Sequence, residues 1–140
     1  MKTLKNILKH FLLVLPIILV TSCGLGESPE QLLKDAAKEV NQSCPSRVDE
    51  ITVLKEVIYE NHRFIYVYEI DDAPDANLFM DLEDEVLSDY FSNEIKENAK
   101  SNSDVKLFVE TLRKDNATLI HRYIMNDGSR RTREIAVDYD

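Results

Sequence analysis

The chain has 140 residues and carries 17 Lys and Arg against 26 Asp and Glu, a formal net charge of −9. That length suits one domain with a small but real core. So acidic a body is repelled by nucleic-acid phosphates and by anionic lipid headgroups, which argues against a DNA or RNA role and against lying flat on a membrane by charge.

The chain opens on a positive start, Lys2, Lys5 and Lys9, and then an unbroken apolar run from Phe11 to Val20. This run is about half the roughly 20 residues a helix needs to span a bilayer, and Pro16 in its middle weakens a permanent span. A positive segment, a short apolar one and then small residues form the layout of a secretory signal. The end of the run is more specific. Val20-Thr21-Ser22-Cys23 places an aliphatic residue, two small residues and a cysteine in order, and resembles the lipobox of bacterial lipoproteins. The resemblance implies that Cys23 is the lipid attachment site, with a diacylglyceryl group on its thiol. It also implies cleavage between Ser22 and Cys23, and acylation of the new amino terminus by a chain such as palmitate. Each buried CH₂ stabilises membrane association by about 0.8 kcal/mol, and one chain holds only marginally, so two or three chains hold essentially permanently. Gly24, rather than Asp, follows the cysteine. In a Gram-negative host of the enteric type this family resemblance implies the outer membrane, periplasmic side.

The expected organisation is therefore a removed signal peptide (1–22), a lipidated tether (23–27) and a single domain (28–140). Removing residues 1–22 discards Lys2, Lys5, Lys9 and His10 and no acid, which leaves 14 bases against 26 acids, a net of −12. The tether reaches at most about 15 Å at 3.3–3.6 Å per residue, so the body stays close to the bilayer. With Cys23 lipidated, Cys44 is the one thiol left. A leftover cysteine in an exported protein is either a buried thiol or an intermolecular partner, and burial is the default.

Ser28-Pro29-Glu30-Gln31 reads as a helix start, with Ser28 as N-cap, Pro29 at the first helical position and Gln31 completing a capping box. Leu32, Leu33, Ala36, Ala37 and Val40 recur at helical spacing, and Pro45 ends the helix near Gln42. Thr52 to Glu60 is rich enough in Val, Ile and Tyr to form a strand. Asn61-His62 reads as a turn. Arg63 to Ile70 alternates, with Phe64, Tyr66, Tyr68 and Ile70 on one face and Ile65, Val67 and Glu69 on the other. Asp75 is the expected cap of a long helix with Phe79, Leu82, Val86, Tyr90 and Ile95 on one stripe. Asn102-Ser103 interrupts it, and Ser103 caps a third helix through Lys114 with Val105, Phe108, Val109 and Leu112 inward. Thr118 to Met125 and Arg130 to Asp138 form a second hairpin around Asp127-Gly128, a pair suited to a type I′ turn.

The order helix, hairpin, helix pair, hairpin gives an α+β fold. The economical arrangement is a four-stranded antiparallel sheet with the helices packed on one face. Asn41 to Pro45, Val48-Asp49, Thr52, Arg122-Tyr123 and Asp127-Gly128 resemble a group of small exported bacterial proteins of uncharacterised domain type. This resemblance implies an α+β fold and no activity.

Four groups of residues are candidates for chemistry. Glu69, Asp71, Asp72, Asp75, Asp81, Glu83, Asp84, Glu85 and Asp89 form an acidic stretch. A solvated face is the favoured reading, and a cation site or a patch for a basic partner is the alternative, since hard cations want clustered oxygens. Arg122, Arg130, Arg131 and Arg133 could hold an anion through bidentate forks, although pairing with the chain's own carboxylates is favoured. His62 falls in a turn and His121 in a strand, and no spacing supplies either with a nucleophile and an orienting partner. Tyr59, Tyr66, Tyr68, Tyr90, Tyr123 and Tyr139 read as core residues before they read as a binding groove. No motif asks for a cofactor or a metal. The expected function is that of a membrane-anchored envelope lipoprotein that binds another envelope protein and is not an enzyme. A small-ligand or cation-binding lipoprotein is the alternative.

Overall fold

The structure, a computed structural model, describes residues 26–140, so the leader, Cys23 and most of the tether lie outside the described residues. Helix α1 covers Pro29–Asn41 and starts as its sequence dictates, with the Ser28 hydroxyl accepting from the Gln31 amide at 3.1 Å. The reciprocal half of the capping box does not form, because the Gln31 side chain turns to Asp35 at 2.9 Å. Leu33, Ala36, Ala37 and Val40 are buried.

After α1 a two-residue strand, β1 (Ser46–Arg47), pairs antiparallel with β2 (Thr52–Glu60). The Asp49 carboxylate makes this reversal by accepting from the amides of Ile51 and Thr52 at 2.9 and 2.8 Å. Strand β2 pairs antiparallel with β3 (Arg63–Asp71) through Asn61 and His62, whose φ values are 51° and 57°. Positive φ at both central residues is the requirement of a type I′ hairpin. That geometry, expected at Asp127-Gly128, belongs here instead. In the last hairpin Gly128 and Arg130 take positive φ, with β4 ending at Asn126 and β5 starting at Thr132, so the connection is a longer loop.

The long helix expected from Asp75 is two helices, α2 (Pro74–Asp81) and α3 (Asp84–Ser101), separated by Leu82 and Glu83 in extended conformation. Asp75 lies inside α2, whose N-cap position is Ala73. The break rotates the buried stripe of α3 to Leu87, Phe91 and Ile95, leaving Val86 and Tyr90 half-buried. Helix α4 (Ser103–Asp115) is capped by Asn102 rather than Ser103, its side-chain oxygen accepting from the Asp104 and Val105 amides at 2.9 and 3.2 Å. Its inward residues are those expected: Val105, Phe108, Val109 and Leu112.

Strands β4 (Thr118–Asn126) and β5 (Thr132–Val137) complete one five-stranded sheet of order β1-β2-β3-β4-β5. The expected four-stranded antiparallel sheet is corrected here. β3 and β4 are parallel, in register from Arg63 opposite Thr118 to Asp71 opposite Asn126. Two hairpins joined by helices can share one sheet this way, because a crossover carrying α2, α3 and α4 returns the chain to the end of β3 where β3 began.

Every buried apolar residue of the four described helices belongs to one core with Phe64, Tyr66, Tyr68, Ile70, Leu119 and Tyr123, so the helices pack on one face of the sheet as expected. The opposite face carries a smaller cluster of Ile65, Val67 and Ile120, with Ile58 and Ile124 beside it. β3 is therefore buried on both faces, as a strand with a parallel partner tends to be. Among the described residues no helix is long and apolar enough to cross a membrane.

Candidate functional site

The acidic stretch does not converge. Asp81 pairs with Arg131 at 3.3 Å, Asp84 with Arg133 at 2.8 Å and Asp71 with Arg47 at 3.3 Å. Among the described residues no three His, Cys, Asp or Glu side chains come close enough together to hold a metal. The same contacts account for Arg131 and Arg133, while Arg130 lies exposed in the β4–β5 loop. Arg133, 11 % exposed, donates through Nη1 to the carbonyls of Phe79 and Met80 at 2.9 and 3.1 Å, and through Nη2 to Asp84. One guanidinium thus caps the end of α2 and the start of α3, where the predicted helix breaks. Arg122 and Arg63 share Glu134 at 2.7 and 3.3 Å on the far face of the sheet.

His121 is enclosed by aromatic rings, with centroids of Phe91, Tyr66 and Tyr68 at 4.9, 5.5 and 5.7 Å. Burial pushes its pKa down to about 3, so it is neutral at physiological pH, and its Nδ1 has no hydrogen-bond partner among the described residues. Tyr68 stacks on Tyr123 at 4.8 Å, and burial raises both phenols far above their ordinary range. Tyr66, Tyr68 and Tyr123 are core residues. Cys44 is half-buried, its thiol donating to the Val40 carbonyl at 3.4 Å, and burial raises its pKa with Glu56 adding to the effect.

His62 stands in a cluster that the sequence did not reveal. Its Nδ1 lies 3.1 Å from Oδ2 of Asp115, and the Tyr59 hydroxyl donates to the same oxygen at 2.6 Å. The Asp115 side chain is only 4 % exposed, while His62 is 58 % exposed. The hydrogen bond and charge of Asp115 raise the His62 pKa, and nearby Glu30 adds to it. An Asp–His pair can move a proton. Here the Tyr59 hydroxyl is spent on the carboxylate, and among the described residues the ring bonds only to Tyr59 and Asp115. The cluster clamps the β2–β3 turn to the end of α4, assisted by the Thr118 amide donating to the His62 carbonyl at 2.8 Å. The partners lie 53 residues apart, so no local pattern announced them.

A cleft of about 380 Å³ lies between the second half of α3 and α4. Lys96, Lys100, Lys106 and Arg113 line it, with Glu110 and Tyr139. Lys96 reaches Asp138 at 3.5 Å, Lys100 reaches Glu97 at 2.6 Å, and Arg113 Nε reaches Asp140 at 2.7 Å. Lys106 makes no ion pair with the described residues. Helix periodicity brings these bases together, since 96 and 100, and then 106, 110 and 113, recur at spacings of three or four. A second depression, of about 400 Å³, lies beside β5 and is bounded by Asp84, Glu85 and Glu134. Asp84 and Glu134 are already engaged by Arg133 and Arg122.

One crystal structure with the same fold is that of a protein described as a putative secreted protein from Pseudomonas aeruginosa. It superposes with a TM-score of 0.57 at 14 % identity, covering 79 % of this chain and 88 % of that one. No curated protein matches the sequence. The family model called Domain of unknown function (DUF8479) matches residues 28–132, most of the described body, and the chain belongs to that family.

Proposed function

We propose that this chain is an exported bacterial lipoprotein, held to a membrane of the cell envelope through Cys23, which works by binding another envelope protein and not by catalysis. The observation that carries the reading is Val20-Thr21-Ser22-Cys23 behind a short apolar run, with the helix cap Ser28 only five residues further on. The shared fold with a protein described as secreted is in keeping with export. The body's chemistry supports a binding role: Arg122, Arg131 and Arg133 are committed to its own carboxylates and carbonyls, and His121 is sealed and neutral.

Mass spectrometry of the native protein tests the anchor. The expected product starts at Cys23 and carries acyl chains there, and Cys23→Ser leaves the protein unlipidated with its leader attached. An unmodified thiol at Cys23 refutes the reading. Cross-linking in intact envelopes tests the partner, with a stoichiometric envelope protein as the expected capture. A second reading, a small-ligand carrier, draws on the cleft between α3 and α4. Its lining of four bases selects an anion, and not the cation that the acidic stretch suggested. A ligand that prefers the folded state raises the melting temperature, so a thermal-shift panel separates the two readings.

A further inference from the structure

We propose that the basic cleft between α3 and α4 receives the phosphate of an anionic lipid headgroup and seats the body on the bilayer. This rests on the lipid-anchored reading and adds which pole of the body meets the membrane.

The first support is where the tether leaves. Glu30, in the first turn of α1, lies within electrostatic reach of Tyr59 and His62. Both of those side chains bond to Asp115 at the end of α4, and Arg113, two residues earlier, lines the cleft. The start of α1, the β2–β3 turn, the end of α4 and the cleft therefore share one pole. A tether of about 15 Å keeps that pole near the headgroups.

The second support is the charge in the cleft. Four bases converge there on a body whose net charge is −12 once residues 1–22 are removed. Asp140 already places a carboxylate on Arg113, so one lining base holds an oxyanion in the folded chain. The pairs at its rim are exposed, and exposed pairs hold weakly and exchange partners readily. Lys106 is uncommitted among the described residues, and the half-exposed Leu107 beside it offers the acyl boundary one apolar side chain.

The third support is the distance of the acidic stretch, since the acids at the cleft itself are Glu110 and the partners of its own bases, Glu97, Asp138 and Asp140. Asp71, Asp72, Asp75, Asp81, Glu83, Asp84 and Glu85 gather at the far end of β3 and at the β4–β5 loop, where Arg131 and Arg133 hold Asp81 and Asp84. The length of β3 separates the two poles by about 26 Å at 3.3 Å per residue. That is about three Debye lengths at physiological salt. The bilayer senses the near pole, and net charge alone misjudges the encounter.

The test uses the native lipidated protein in nanodiscs of phosphatidylcholine alone and of phosphatidylcholine mixed with phosphatidylglycerol, read by amide hydrogen exchange. Exchange in residues 96–113 is expected to slow several-fold in the anionic discs, with none of this slowing in residues 75–89. Lys100→Gln combined with Lys106→Gln is expected to abolish the difference, since one lysine near an anionic surface is worth about fivefold in binding. Both lysines are exposed, and unchanged exchange in β3 and β4 verifies that the variant folds. Equal exchange in the two discs overturns the proposal. So does inorganic phosphate reproducing the full protection in phosphatidylcholine discs, which makes the cleft a site for free phosphate. The anchor is read separately, from the acyl mass on Cys23 and from co-elution with the discs.

Discussion

Arg133 offers the sharpest test of what holds the helical layer together. Its guanidinium makes two bonds to backbone carbonyls at the end of α2 and two to Asp84. The Asp84 side chain is 84 % exposed, so that pair contributes at most about 1 kcal/mol. The carbonyl bonds matter more, because Phe79 and Met80 are buried, and truncation takes the Met80 carbonyl's donor away while the Phe79 carbonyl keeps the Leu82 amide. A buried acceptor without a partner costs about 1–3 kcal/mol. Arg133→Ala is therefore expected to lose about 2–3 kcal/mol, which for a body of this size lowers the melting temperature by about 6–12 °C. Arg133→Lys keeps the charge but not the fork and falls between, while Asp84→Asn costs less than about 1 kcal/mol. Urea unfolding of the mature chain followed by circular dichroism measures all three. A loss below about 0.5 kcal/mol for Arg133→Ala, in the range of ordinary surface substitutions, refutes the account of the break between α2 and α3.

His62 has its pKa raised by Asp115, with Glu30 adding, so its contribution to stability is complete below the ordinary value of 6.5 and is lost as pH rises through the raised value. His62→Gln is accordingly expected to destabilise at pH 5.5 relative to wild type by more than it does at pH 9, in paired urea titrations; an equal loss at both refutes the charge pair. His121 is the opposite case. Its pKa falls to about 3 in the folded state, so the unfolded chain binds the extra proton between 6.5 and about 3 and stability falls as pH drops through that window. His121→Phe should flatten this part of the profile by up to about 1.4 kcal/mol per pH unit; an unchanged slope refutes burial of the neutral ring. The Tyr68 hydroxyl is buried without a hydrogen-bond partner among the described residues, so Tyr68→Phe is expected to leave stability unchanged or to raise it by up to about 1 kcal/mol. Phe91→Ala, which empties a site against His121 and Tyr123, is expected to cost about 3–5 kcal/mol in the same assay.

Helix α1 was legible because its instructions are local. Ser28 meets the Gln31 amide three residues on, and Leu33, Ala36, Ala37 and Val40 follow a period that neighbours alone define. Strands β2 and β3 and the inward face of α4 were legible for the same reason, since alternation and helical spacing survive in any tertiary context. The misplaced type I′ turn shows the limit of this. Asp-Gly is the stronger local signal, yet Asn61-His62 adopts the turn because Glu60 pairs with Arg63 and Asp115 reaches across to hold His62.

What the amino-acid order alone determined was helix α1, strands β2 to β5 within a residue or two, the stripes that α1 and α4 bury, and the acidity of the body. The tertiary structure decided the parallel pairing of β3 with β4, since strand direction follows from how the intervening helices pack and not from either strand's pattern. It decided the break at Leu82 and Glu83, which answers to Arg133 some fifty residues later. It also decided that four bases share one cleft while the acidic run from Asp71 to Glu85 stands at the other pole. Charges add in a sequence wherever they stand, but in a folded body they act over about a Debye length, so their placement outweighs their sum.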